Sequence, residues 1–168
     1  GFGPFFYGLL SQVAVDYWAL RTRQMFDHKE DFGRWLIQKG SVVVYFPEDC
    51  HRQVKKHVKK AFKKVGLLVH TTQDKPSADV IIAVEMHKRI KPDGWAIMSG
   101  TAPQTIKLIL TKKGKKANRH IIWHEVGHIM GLGHKNYGGH SVMKPGATHI
   151  RKFTEHDLAE IERLTRKP

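Results

Sequence analysis

Residues 124–134 read HEVGHIMGLGH and set His124, Glu125, His128, Gly131 and His134 at a spacing suited to metal-assisted hydrolysis. On a helix, positions four apart lie one above the other, so His124 and His128 can offer two imidazole nitrogens to one ion. Glu125, one residue along, brings a carboxylate beside that ion, where it can hold a water without being a ligand. Gly131 permits the positive-φ turn that ends the helix, and the reversed chain can return His134 as the third nitrogen. Three protein ligands leave the fourth position of a tetrahedral zinc ion open, which is the arrangement of a catalytic site and not a structural one. Drawn at random from this chain's own composition, the five residues would fall into this pattern in about one sequence in five thousand.

Such a motif needs a helix to carry it and a sheet to hold that helix. SVVVYF at 41–46 is a β-branched and aromatic run expected to form a strand. In HRQVKKHVKKAFKKVG, Val54, Val58, Ala61, Phe62 and Val65 recur at three- and four-residue steps, the period of an amphipathic helix. Its other face carries Arg52, Lys55, Lys56, Lys59, Lys60, Lys63 and Lys64 and is read first as a solvated face, second as a binding surface. Strands are expected at 67–70, 78–85, 95–99 and 105–111, and a helix between the first two permits a parallel crossover. One of the last two strands should form an edge near the metal, to which an extended peptide could add by main-chain hydrogen bonds. KKGKKANR at 112–119 reads as a basic loop leading into the histidine-bearing helix.

The 168 residues suffice for one domain with a real core. A formal charge of +14 favours contact with polyanions and, alone, does not choose among nucleic acid, anionic lipid and phosphate-rich polymer. With one cysteine, Cys50, there is no internal disulfide and no basis for a cysteine-built zinc site. Phe2 to Leu20 is apolar and aromatic but interrupted by Pro4, Gln12 and Asp16. It is read either as a helix on the domain or at a membrane surface, or as the outer end of a signal anchor.

Nine residues after His134 comes Met143, in the compact segment SVMKP. HExxHxxGxxH followed by such a methionine resembles the metzincin clan of zinc proteases. Within the clan the chain looks most like a matrixin of the small Gram-positive bacterial type. Ala61-Phe62, Ala78-Asp79-Val80-Ile81, Pro145, and FTEHDLAEIERL with its Asp157 all agree with that pattern. The resemblance implies an α/β (α+β) metzincin-like fold: a twisted mixed five-stranded sheet with two long helices, a Met-turn at Met143 and a C-terminal helix. The expected division is 1–40 as an N-terminal extension, juxtamembrane or helical, and 41–168 as a matrixin-like catalytic domain.

By the same resemblance the chain is a zinc endopeptidase, monomeric, and secreted or anchored at the cell surface. One catalytic Zn2+ would sit on His124, His128 and His134, with Glu125 as general base, Met143 as an apolar floor, and Lys144 to Thr148 shaping the pocket. Its partners would be a protein or peptide substrate and, through the basic surface, an anionic cell-surface polymer or membrane; nucleic acid is disfavoured. Lys135, where matrixins carry a small hydroxyl residue, departs from the pattern. So does the lack of glycine- and aspartate-rich loops, so structural Ca2+ or a second Zn2+ is not expected. His120, His140, His149 and His156 are read as ordinary histidines that need not reach the cleft, and Cys50 as an ordinary thiol. Two rivals use the same residues: a basic binding module with a structural zinc, and a zinc hydrolase of a non-protein amide.

Overall fold

The computed structural model of the protein describes residues 25–88, 91–134 and 140–166. Residues 1–24, which make up most of the expected extension, and Lys135 lie outside that description. Helix α1 (Asp31–Lys39) leads into β1 (Ser41–Tyr45), α2 (Arg52–Lys64), β2 (Leu68–Thr72), a 3₁₀ turn (Lys75–Ser77) and β3 (Val80–Met86). There follow β4 (Asp93–Ile97), β5 (Gln104–Leu110), α3 (Lys115–Ile129) and α4 (Glu155–Arg166). The five strands form one mixed sheet in the order β2-β1-β3-β5-β4. Four run parallel; β4 runs antiparallel to β5 and forms an edge. No helix among the described residues is long and apolar enough to cross a membrane.

Alternation builds the core. Val42, Val44, Val80, Ile82, Ile106 and Leu108 are buried on one face of the sheet, while their sequence neighbours, apart from Asp79, are half-exposed. Against the core lie Val54, Val58, Ala61 and Phe62 of α2 and Ile122, Val126 and Ile129 of α3. The lysines of α2 fall on its outer side, as the period requires. Helix α3 starts at Lys115, inside the stretch read as a loop. Asn118 closes that start, its Nδ2 donating to Thr111 O at 2.7 Å and its Oδ1 accepting from Thr111 N at 3.3 Å. Gly114 stands at the N-cap without a side-chain cap, so the usual helix-start signal is missing there.

Helix α1 lies upstream of the boundary drawn at residue 41, yet its Phe32 and Leu36 are fully buried in the same core as the sheet. A Cβ at Gly33 would stand 3.0 Å from the Met130 backbone, so this glycine lets α1 press against the end of α3. Gly40, with φ +74°, ends α1 in a left-handed turn that feeds β1. One ion pair fastens the corner. Asp79, fully buried, accepts from Lys39 Nζ at 2.7 Å and from Val43 N at 2.8 Å, tying α1, β1 and the start of β3 together. Between α2 and α3, Trp123 Nε1 donates to His57 Nδ1 at 3.3 Å.

Two outcomes follow from these buried polar groups. Asp79→Ala leaves Lys39 and the Val43 amide without their acceptor and should lower the denaturant-unfolding free energy by about 3 kcal/mol. Burial first, and then the nearby Arg119 and lysine charges, hold the His57 pKa down from 6.5 to about 4. Between those two values the unfolded chain binds the extra proton, so His57 contributes stability that is complete above pH 6.5 and fades toward pH 4. Urea midpoints of the metal-free chain should therefore fall as pH drops through this window, and His57→Gln should make the fall shallower.

Candidate metal centre

The three motif histidines meet. His124 and His128 stand one turn apart on α3, and Gly131, with φ +100°, reverses the chain so that His134 comes back over them. Their Nε2 atoms lie 2.9 Å (His124 to His134), 3.2 Å (His124 to His128) and 2.9 Å (His128 to His134) from one another. The other ring nitrogens decide what those atoms carry. His124 Nδ1 lies 2.8 Å from Val142 O, and His128 Nδ1 lies 2.7 Å from Leu132 O. A carbonyl only accepts, so both Nδ1 atoms hold their protons and both Nε2 atoms present lone pairs. Burial, the largest cause, holds the His124 pKa down at about 4 and lowers that of His128 as well, so both rings are neutral at pH 7.

Two converging lone pairs with a third imidazole nitrogen beside them fit a cation. Tetrahedral zinc with Zn–N bonds of about 2.0–2.1 Å needs its nitrogens about 3.3 Å apart. The observed triangle is within a few tenths of an ångström of that, and these three residues form a group able to hold a metal ion. Among the described residues no fourth histidine, cysteine or carboxylate joins them. His120 lies on the same side of α3, but its Nδ1 is spent on Ile150 O at 2.7 Å.

Glu125 sits beside the cluster, 5% exposed, under the edge strand. A Cβ at Gly94 would fall 2.9 Å from Glu125 Cγ and 2.6 Å from Ile121 Cγ2, so β4 can approach α3 this closely only with glycine there. Burial is the main cause that raises the Glu125 pKa to about 7; the Ala96 N–H opposes the rise and the Asp93 charge adds to it. A carboxyl poised near neutrality is suited to taking and returning a proton. The cluster and Glu125 form the floor of a cleft of about 780 Å³, with Gly94 and Ala96 on one wall and Pro145, Gly146 and Thr148 on the other. Lys144 and Ala147 do not line it. Neither do His140, His149, His156 or Cys50.

Met143 is fully buried beneath α3, and its Sδ would stand 2.5 Å from a Cβ at Gly127. Its turn is held from a distance by Asp157. That carboxylate, 1% exposed, accepts from Val142 N at 3.0 Å, from Thr154 N at 2.9 Å and from the Ser141 hydroxyl. Ser141 Oγ in turn accepts from Met143 N at 2.9 Å. Since Val142 O orients His124, Asp157 fixes the ring of a candidate ligand through one intermediary, Val142. In the sequence Asp157 is marked only by its place in the closing-helix pattern and in the first turn of a helix, neither of which gives its partners. Compared with protein-family models and with curated proteins, the chain has no match.

Gly127→Ala should force Met143 aside and cost about 1–3 kcal/mol of unfolding free energy. In a Met143→Ala background the same change should cost clearly less, and equal costs in the two backgrounds would show that the contact is not what matters.

Proposed function

We propose that the chain is a zinc-dependent endopeptidase of the metzincin clan, matrixin-like, working outside the cell or at its surface. The observation that carries this reading is the buried Glu125 carboxylate beside three convergent imidazoles on the floor of an open cleft. A structural zinc site has no use for such a group, since burying a carboxyl costs stability that ligand binding does not require. On this reading Met143 forms the Met-turn.

His124, His128 and His134 would hold the ion through Nε2. Bound there, zinc supplies Lewis acidity, lowering the pKa of water toward neutrality and polarising a carbonyl. The chain's own residues do the rest. The open edge of β4 offers main-chain N–H and C=O groups to an extended peptide, which fixes the scissile bond over the α3 floor. The Glu125 carboxylate accepts the proton of the attacking water, and its protonated form passes that proton to the amine nitrogen as the C–N bond breaks. The Ala96 amide keeps the carboxylate turned toward the cleft. Pro145, Gly146 and Thr148 form the wall that meets the side chain following the cleaved bond.

The test is cleavage of casein or a quenched peptide library by the zinc-loaded chain and by Glu125→Gln, with zinc content measured for both. The variant should keep its zinc and lose at least about a hundredfold in rate. Zinc binding by both proteins without cleavage by either would end the protease reading, and undiminished cleavage by the variant would remove Glu125 from its role.

A further inference from the structure

Helix α3 shows one side to the cleft and a different one to a second cavity. Ala117, His120, Ile121 and His124 face the cleft, whereas Lys115, Asn118, Arg119 and Ile122 line a pocket of about 490 Å³ beside α2. A further pocket of about 490 Å³, formed with residues 149–154, shares both His57 and Arg119 with the first. The two therefore adjoin at these residues, and their linings together make one basic trough.

Its charge is one-sided. Lys112, Lys115, Arg119, Arg151 and Lys152 line it, and no aspartate or glutamate is among the lining residues of either pocket. Elsewhere Arg34, Lys39, Arg163 and Arg166 are matched with carboxylates, but none of these five is in an ion pair among the described residues. The junction adds an independent observation. His57 is 4% exposed, its Nδ1 takes the Trp123 indole proton, and the neutral ring therefore carries its own proton on Nε2. That Nε2 has no hydrogen-bond partner. A buried donor without an acceptor, set among cations without counter-ions, lacks one kind of group: an anionic oxygen.

We propose that the trough is a binding site for phosphate groups. Arg119 and His57 hold one phosphate at the junction, and a linear chain of phosphates runs from Lys112 and Lys115 on one side to Arg151 and Lys152 on the other. The guanidinium fork of Arg119 matches two oxygens of one phosphate, and five unmatched cations along the trough favour a ligand that repeats its charge, as linked phosphates do, over a single carboxylate. Phe153, the one Phe, Tyr or Trp side chain lining the trough, is buried, so bases would find no Phe, Tyr or Trp face to stack on, and a nucleic acid fits less well. The site is distinct from the lysine face of α2 singled out in the sequence, and it shares no lining residue with the cleft.

Calorimetric titration of the full chain at fixed ionic strength, with inorganic phosphate, short linear polyphosphate and oligothymidylate, tests this. Phosphate should bind, and polyphosphate at least about tenfold more tightly, because several cations then act on one molecule. Arg119→Gln and Lys152→Gln should each weaken polyphosphate binding by about tenfold, one such hydrogen-bonded charge being worth about that factor. Joint replacement of Lys59 and Lys63 by Gln, on the outer side of α2, should leave it unchanged. In nitrogen-15 spectra the His57 Nε2–H resonance should move when phosphate is added. Absence of phosphate binding, equal weakening by the Lys59 and Lys63 pair, a motionless His57 resonance, or tighter binding of oligothymidylate than of polyphosphate would each overturn the assignment. None of these readouts uses peptide cleavage, so failure here leaves the protease reading untouched.

Discussion

Three imidazole Nε2 atoms crowd within 3.2 Å of one another, at least two of them as lone pairs, and the architecture around them holds them there. Val142 O and Leu132 O each take the Nδ1 proton of one ring and so force its Nε2 into the acceptor state. The rest of the fold follows from keeping those two carbonyls in place. Asp157 grips the turn containing Val142, and Gly131 bends the chain so that Leu132 and His134 return to α3. Gly127 leaves room for Met143 against α3, and Gly94 lets the edge strand close over Glu125. Each of these glycines is a point where a Cβ would push the centre apart.

The same economy explains the electrostatics. Histidines that must bind a cation at neutral pH have to be unprotonated, and burial secures this for His124 and His128. Burial also keeps Glu125 from ionising at its ordinary pH, which suits a group that must both take and return a proton. On the proposed reading one desolvated floor therefore serves ligand and base together. The far side of α3 carries the opposite character, a run of unmatched cations, so a single helix separates a cation site from an anion site.

Local spacing was legible; distant partnership was not. The helix pairing of His124 with His128 and the glycine turn to His134 are local facts of spacing, and the strands at Val42–Val44 and Ile106–Leu108 declare themselves as short apolar, β-branched runs. Helix α1 escaped notice because its burial rests on Phe32, Leu36 and the bare Gly33, which say nothing until Met130 is known to lie opposite. The start of α3 was hidden because Asn118 closes it by reaching back to Thr111, without a capping residue at Gly114. Asp157 and Ser141 lie sixteen positions apart, and Arg119 and Lys152 farther still, so no window along the chain joins them.

A catalytic centre at His124, His128 and His134 requires one zinc ion on the three histidines with a position left for water. X-ray absorption at the zinc edge, with zinc counted per chain, tests it most directly. The account predicts one zinc per chain in a first shell of three imidazole nitrogens and one light solvent oxygen, reduced to two imidazoles in His134→Ala. A shell of four protein donors, or a purified chain that takes up no zinc, would contradict it.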